Sequence, residues 1–238
     1  MNNNKLKVEV WSDVVCPFCY MGKRKFELAL EEFPHKDQVE VEWKSFLLNP
    51  DAKTDTSTNV YDHLARVKGW NAEKAREVNR QVTEAAAQVG LEYNFDKAVV
   101  ANTMKAHGFL QFAKEHGAQN EAEEKLFRAY FTEGRNIDDT PTLVEIGNEM
   151  ELDTTTLARA LEDGTYTESV RKDLYEARQF DIRSVPFFLF DGKLGVIGAQ
   201  PQEYFLQVLE KVYSGWQRHN AGPDGAAEGS SCSIDGDC

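Results

Sequence analysis

Apolar and polar residues alternate over Leu6 to Trp11, the side-chain period of a strand with one buried face. From Phe26 to Phe33 the apolar spacing becomes helical, and Val39-Glu40-Val41-Glu42-Trp43 returns to clean alternation, with Phe46-Leu47-Leu48 carrying the apolar run up to Asn49-Pro50. The pattern predicts strand, helix and strand, a βαβ unit with a right-handed crossover. Asp51 to Asn59 is polar and reads as a loop.

From about Tyr61 to Phe180 the period is helical. Asn71 can cap a helix through Val78, Val82, Ala86 and Val89, ended by Gly90. A second helix is expected from near Asp96 to His116, stopped by Gly117, and a third from about Glu121 to Thr132 with Leu126, Phe127, Tyr130 and Phe131 as its stripe. Asp139-Thr140-Pro141 is a cap followed by proline in the first turn, opening a helix to about Met150. Asp153-Thr154 starts another through Leu157 and Leu161, and Thr167 to Phe180 makes the last.

Strand character resumes at Val185-Pro186-Phe187-Phe188-Leu189-Phe190 and, after the hairpin signal Asp191-Gly192, at Leu194-Gly195-Val196-Ile197. Pro201 opens a closing helix with Phe205, Val208, Leu209 and Val212 on one side. Beyond Trp216 the chain is rich in Gly, Ser and Ala and reads as a flexible tail. The expected organisation is α/β, with a discontinuous domain over 1–58 and 182–216, an all-helical insertion over 59–181, and a tail over 217–238.

Composition narrows the partners. The 238 residues suffice for a sizeable core, and 41% hydrophobic with 28% charged residues fits a globular protein. A net charge of -13 speaks against a nucleic-acid partner, which needs concentrated Lys and Arg. No stretch has the roughly 20 apolar residues of a membrane span, so no membrane partner is expected. Met1-Asn2-Asn3-Asn4-Lys5 leads straight into a strand without a secretory pattern, and the expected compartment is the cytoplasm. Cysteines in a reducing compartment point to redox or metal chemistry more than to structural staples.

The chemistry centres on Cys16-Pro17-Phe18-Cys19, placed where the first strand ends and a helix begins. Free amide N–H groups and the helix dipole favour an anion at that point. Cys16, on the outer side of the turn and expected to be exposed, should therefore have a pKa below the roughly 8.5 of a free thiol. Pro17 suits a first helical turn. Cys19, one turn deeper, can close a small disulfide ring with Cys16. Two inert buried cysteines, or a zinc site formed with Cys232 and Cys238, are the rival readings; the six-residue offset of the tail pair fits a zinc knuckle poorly.

Strand, Cys-x-x-Cys and helix in this order resemble the thioredoxin fold. On that reading Pro186, which otherwise marks an edge strand, follows a cis peptide bond from Val185 and faces the cysteine pair. The Val185 N–H and C=O would then be open to an extended substrate chain. Asn49 is most simply a turn residue and His107 a packing histidine, but both are candidates to line a cleft beneath the helical insertion.

Longer stretches carry a more specific likeness. Ser12-Asp13-Val14-Val15-Cys16-Pro17-Phe18-Cys19-Tyr20-Met21-Gly22, Phe46-Leu47-Leu48-Asn49-Pro50, and Asn102-Thr103 with Ala106-His107 are three of them. Leu126 to Gly134, and Val185 to Gly192 followed by Gly198-Ala199-Gln200-Pro201, complete the set. Together they resemble the FrnE-like branch of the DsbA family, over about residues 6 to 215. The resemblance implies a thioredoxin fold with a large inserted helical domain and thiol–disulfide oxidoreductase or isomerase activity. Cys16 and Cys19 would be catalytic, with Pro17, Phe18, Val185 and Pro186 binding substrate. Some relatives also carry a cysteine pair in the tail, so Cys232 and Cys238 are a candidate second redox pair.

Expected partners are protein or small-molecule thiols and disulfides. No bound cofactor or metal is expected; glutathione is a candidate co-reductant. Related branches, the 2-hydroxychromene-2-carboxylate isomerases and kappa-class glutathione transferases, typically place serine at the position of Cys16. A glutathione-dependent isomerase or transferase is therefore the alternative function, and a zinc-binding or redox-sensing module a second one. Phe18 stands where periplasmic DsbA proteins carry histidine, so that source of thiolate stabilisation is lacking.

Overall fold

The computed structural model describes residues 5–220. In chain order the elements are β1 (Leu6–Ser12), α1 (Pro17–Glu32), β2 (Val39–Ser45), β3 (Asp55–Asn59), α2 (Val60–Lys68) and α3 (Ala72–Ala87). Then come β4 (Val99–Val100), α4 (Met104–Glu115), α5 (Gln119–Arg128), α6 (Thr140–Glu149), α7 (Thr154–Glu162) and α8 (Thr167–Gln179). The chain closes with β5 (Phe187–Phe190), β6 (Leu194–Ile197) and α9 (Gln202–Asn220). The main sheet has order β2-β1-β5-β6: β1 runs parallel to β2, antiparallel to β5, and β5 antiparallel to β6. This is a thioredoxin fold, and α2 to α8 form the helical insertion between its two halves.

The alternation read from the sequence sets the two faces of the sheet. Leu6, Val8 and Val10 of β1 join Phe26 and Ala29 of α1, Phe188 and Phe190 of β5, and Phe205 and Leu209 of α9 in one apolar core. Phe26 and Phe188 both pack on Phe205, with ring centroids 5.6 and 4.7 Å apart, aromatic contacts worth about 0.5–1.5 kcal/mol each beyond the area they bury. The opposite face of β1 and β2 presents charge to the insertion. Lys44 Nζ lies 2.8 Å from Glu176, 3.4 Å from Asp173, 3.3 Å from Glu42 and 3.7 Å from Glu9.

Asp173 of α8 also accepts hydrogen bonds from the Ser45 backbone N–H (2.9 Å) and from Gln111 Nε2 (2.7 Å). Trp11 Nε1 donates to the Asp173 carbonyl at 3.1 Å. Buried polar groups on both sides are thus paired, which lets the insertion close over a sheet face that is not purely apolar.

Three local expectations need correction. The polar segment 51–59 is not all loop: Asp55–Asn59 pairs antiparallel with Val99–Val100. For the same reason the helix anticipated from Asp96 starts only at Met104, because Val99 and Val100 are committed to that pairing. Asn102 supports the change of direction, its Nδ2 donating to the Ala52 carbonyl (2.8 Å) and its Oδ1 accepting from the Met104 N–H (2.8 Å). The helix expected up to Thr132 loses α-helical bonding at Arg128 and continues as a π turn, Ala129–Glu133, ended by Gly134 at φ 71°. A Cβ at Gly134 would sit 2.4 Å from Lys97 Cβ, a close approach that only glycine permits.

The Asp191-Gly192 hairpin forms as expected. Both residues have positive φ (51° and 64°), and the Lys193 N–H donates to the Phe190 carbonyl at 3.0 Å. No helix among the described residues is long and apolar enough to cross a membrane.

Candidate active site

β1 ends at Ser12, and the turn from Asp13 to Val15 delivers Cys16 to the N-cap of α1. Cys16 is extended (φ −91°, ψ 111°), and its N–H donates to the Asp13 carbonyl at 2.9 Å. Its carbonyl accepts from the Cys19 N–H at 3.0 Å, the first turn of the helix. Pro17 follows at the first helical position, where its missing N–H leaves nothing unpaired. The Tyr93 hydroxyl, from the insertion, donates to the Pro17 carbonyl at 2.7 Å and pins this turn.

Both cysteines are free thiols. Cys16 is not exposed as its position in the sequence suggested: it retains 4% of its surface and Cys19 none. The covering comes from the insertion, whose core is continuous with Trp11, Val14, Cys16, Cys19, Tyr20 and Met21. Phe18, between the two, is half exposed. Burial pushes the Cys19 thiol well above its ordinary pKa, and the adjacent Cys16 adds to the rise.

The β5 side arrives through the Val185–Pro186 peptide bond, which is cis as the thioredoxin-like reading anticipated. Cys16 Sγ donates to the Val185 carbonyl at 3.8 Å, and the Pro186 carbonyl accepts from the Gly198 N–H at 2.8 Å. The Pro186 ring packs on Gly22 of α1 so closely that a Cβ there would lie 2.8 Å from Pro186 Cγ. Cys16, Cys19, Val185 and Pro186 therefore converge, although 169 positions separate Cys16 from Val185 in the chain.

The cleft candidates part company. Asn49 is exposed in a turn, its carbonyl accepting from the Ala52 N–H at 3.1 Å. His107 lines no open cleft; it is 1% exposed, and its Nε2 lies 3.4 Å from Asp13 Oδ1. Cys232 and Cys238 lie outside the described residues. Among the described residues no group of three or more His, Cys, Asp or Glu is arranged to hold a metal ion.

At the end of β1 lies a buried polar cluster of Ser12, Asp13, His107 and Glu123, of which the sequence reading named only His107 as a site candidate. Asp13 Oδ2 accepts from the Leu48 N–H at 2.8 Å, tying the turn before Cys16 to the segment after β2. The Ser12 hydroxyl donates to Glu123 Oε1 of α5 at 2.7 Å, and Glu123 is fully buried. Burial raises the Glu123 carboxyl to about 7, although Ser12, His107 and Lys23 pull the other way. Burial opposes charge on His107, but Asp13, Glu123 and Asp173 outweigh it and its pKa is raised. A signal for Glu123 was present: it shares the buried face of α5 with Gln119, Ala122, Leu126 and Phe127, an acid within an apolar stripe.

Next to Glu123, Glu124 faces α1 instead. It accepts from Tyr20 Oη (2.7 Å), Lys23 Nζ (2.9 Å) and Arg24 Nη2 (2.7 Å). Tyr20, directly after Cys19, stacks on Phe127 with centroids 4.8 Å apart. The insertion thus grips the cysteine-bearing helix by an ion-pair cluster and an aromatic stack.

Comparison with known proteins agrees with this arrangement. The chain is 32% identical over 205 residues to the uncharacterized protein YwbO of Bacillus subtilis (strain 168), covering 85% of this chain and 94% of that one. The crystal structure of a probable DsbA oxidoreductase, SCO1869 from Streptomyces coelicolor, superposes with a TM-score of 0.83 at 35% identity, covering 97% of each chain. The cytosolic disulfide reductase DsbM from Pseudomonas aeruginosa, solved alone and with GSH, shares the fold at a TM-score of 0.64 and 16% identity, over 88% of this chain and all of that one. The DSBA-like thioredoxin domain matches residues 7–210, and with the cysteine pair at the head of α1 and the proline loop against it, this chain belongs to the DSBA-like thioredoxin family.

Proposed function

We propose that the protein is a dithiol–disulfide oxidoreductase in which Cys16 attacks and Cys19 resolves. The observation that carries this reading is the pairing of two free, adjacent thiols of unequal access, with only Cys16 retaining surface and facing the Val185 carbonyl. Cys16 thiolate displaces one sulfur of a substrate disulfide, which leaves as a thiolate, and a mixed disulfide forms. Cys19 thiolate then attacks Cys16 Sγ, the second substrate sulfur leaves with the electron pair, and the Cys16–Cys19 disulfide is the oxidised product. Run backwards, the same steps oxidise a substrate dithiol.

Pro17, Phe18, Val185 and Pro186 border Cys16 in sequence or space and are the proposed docking residues for an extended substrate. Substrates are protein or small-molecule disulfides, with glutathione as the proposed reductant of the oxidised pair. A cytoplasmic setting suits two cysteines kept as thiols. The presence of cysteine at both positions favours this redox role over glutathione-dependent isomerisation.

Mass spectrometry of variants tests the assignment. Cys16→Ser should abolish disulfide reduction, and Cys19→Ser should accumulate substrate covalently bound to Cys16. Substrate trapped on Cys19 alone would reverse the roles. Full turnover of Cys19→Ser with glutathione present would replace the dithiol mechanism by a glutathione-dependent one.

A further inference from the structure

The π turn Ala129–Glu133 interrupts a helix that its apolar stripe would otherwise continue, and it holds the segment before β4 in place. The Phe131 carbonyl accepts from the Asn94 N–H, and the Thr132 hydroxyl donates to the Glu92 carbonyl, both at 2.6 Å. Tyr93 stands between these two anchors. Its ring stacks on Phe131 with centroids 4.6 Å apart, meets Phe95 edge-on at 5.7 Å and lies 6.0 Å from the ring of Tyr20. The ring is thereby fixed, and its hydroxyl is delivered to the Pro17 carbonyl at 2.7 Å.

We propose that Tyr93, by donating to the Pro17 carbonyl, polarises the first peptide of α1 so that its Phe18 N–H stabilises the Cys16 thiolate. The Pro17 C=O and the Phe18 N–H belong to one planar peptide and point in opposite directions along the helix. A hydrogen bond received at the carbonyl makes the N–H a stronger donor, and such chains strengthen each bond by about 10–30%. Phe18 is the second residue of α1, so its N–H has no partner within the helix. An N-cap side chain takes its bond from the N–H of the second or third helical residue. The third, that of Cys19, already donates to the Cys16 carbonyl, which leaves that of Phe18. Cys16 occupies the N-cap but as a thiol makes no cap bond; Sγ donates to the Val185 carbonyl instead. Once ionised, the sulfur has no hydrogen to donate and becomes an acceptor for the polarised Phe18 N–H.

Its surroundings make Tyr93 a permanent donor. The side chain is buried, and burial pushes its phenol far above the ordinary value. Cys16, Cys19 and Tyr20 of α1 and Glu124 of α5, the titratable groups that act on it, push it further in the same direction. The hydroxyl therefore keeps its proton throughout the range in which a thiol titrates, and its bond to Pro17 does not switch off. Tyr93 acts through Pro17 and Phe18 and is a positioning residue. The Phe18 side chain brings no charge to the thiolate, so the polarised backbone supplies stabilisation that the side chain at that position does not. The helical insertion thus tunes the attacking sulfur as well as covering it, and the π turn gives the stretch from Leu126 to Gly134 a part in the chemistry.

This inference rests on Cys16 being the attacking thiol, and the experiment separates the two. Full-length protein carrying Cys19→Ser, Cys232→Ser and Cys238→Ser leaves Cys16 as its one thiol, and absorbance at 240 nm follows its thiolate against pH. Tyr93→Phe keeps the ring stack and removes only the hydroxyl. On the rising limb of the titration its thiolate population should be about threefold lower, the effect of taking about a quarter from a charge-assisted hydrogen bond. The deficit should vanish at high pH, where both proteins are fully ionised. With Cys19 restored, the equilibrium with a glutathione buffer at pH 7 should move toward the Cys16–Cys19 disulfide by up to about threefold, because the reduced form has lost stabilisation.

Thr132→Val, which removes the hydroxyl that anchors Glu92, should move the thiolate profile the same way by a smaller factor. Leu157→Ala, which truncates a fully buried side chain elsewhere in the insertion, should lower stability and leave the profile in place. If Tyr93→Phe does not fold, Thr132→Val decides alone. A Tyr93→Phe profile that coincides with that of the parent protein would overturn the inference and leave the dithiol mechanism standing, as would an equal displacement in Leu157→Ala. Iodoacetamide labelling of the protein that retains both Cys16 and Cys19, read by peptide mass spectrometry, should modify Cys16 first; first reaction at Cys19 would overturn both.

Discussion

Replacing Gly22 by alanine tests whether the contact between α1 and the proline loop sets the geometry of the site. The added Cβ would lie 2.8 Å from Pro186 Cγ, 3.5 Å from Pro186 Cβ and 3.6 Å from Ala199 Cα. Carbon pairs are most stable about 3.5–4.0 Å apart, so the first contact is repulsive and the other two are ordinary. The pyrrolidine ring has no free rotor with which to move aside, and α1 is held on its other side by Glu124 and Phe127. Overpacking of this kind costs about 1–3 kcal/mol. Alanine in place of glycine inside a helix returns about 1 kcal/mol. The net expectation is a loss of about 1 kcal/mol, with Pro186 and the neighbouring Val185 carbonyl displaced from Cys16.

Gly215 in α9 supplies the control, since a Cβ there meets nothing within 4 Å. Gly215→Ala should stabilise by up to about 1 kcal/mol through helix propensity alone. Urea unfolding midpoints, with slopes checked for constancy, measure both variants. The rate of Cys16 attack on an aryl disulfide should fall in Gly22→Ala and stay at the wild-type value in Gly215→Ala. A Gly22→Ala protein as stable as Gly215→Ala, with unaltered Cys16 reactivity, would refute the reasoning.

Asp173→Ala should destabilise by about 1–3 kcal/mol, because it leaves the buried Ser45 N–H beneath α8 without its acceptor and takes the shorter of two from Gln111 Nε2, while Lys44 keeps Glu176; thermal or urea unfolding reads this directly. Glu42 should make stability depend on acid pH. Burial opposes its ionisation, but Lys114, Lys7 and Lys44 hold its carboxyl at about 2 against an ordinary 4.5. A lowered folded-state pKa means that its contribution is complete above 4.5 and is lost as pH falls toward 2, so the stability of Glu42→Gln should fall less steeply than wild type across that window. Leu157→Ala, which truncates a fully buried side chain packed on Gly147, should cost about 2–5 kcal/mol, measurable as a lowered unfolding midpoint.

The order of elements and the place of the chemistry are local properties, and the sequence alone determined them. Period-two alternation marks β1, period 3.6 marks the helices, Asn71, Asp139 and Asp153 cap theirs by accepting from backbone N–H groups as expected, and Asp191-Gly192 turns the hairpin. Cys16 and Cys19 at a strand–helix junction followed from the same patterns. Tertiary structure decided what depends on residues far apart. Val99 and Val100 leave the helical pattern because Asp55–Asn59 offers them a partner strand. Cys16 is covered because the insertion folds back over the strand–helix junction, a fact of topology and not of neighbours in sequence. Glu123 shows the limit most sharply. Its place on an apolar helical stripe marks it as buried, but only the packing of α5 against the end of β1, 111 positions earlier, sets it on the Ser12 hydroxyl. Periodicity reports which way a side chain points from its own element. What it meets there is set by how the elements pack.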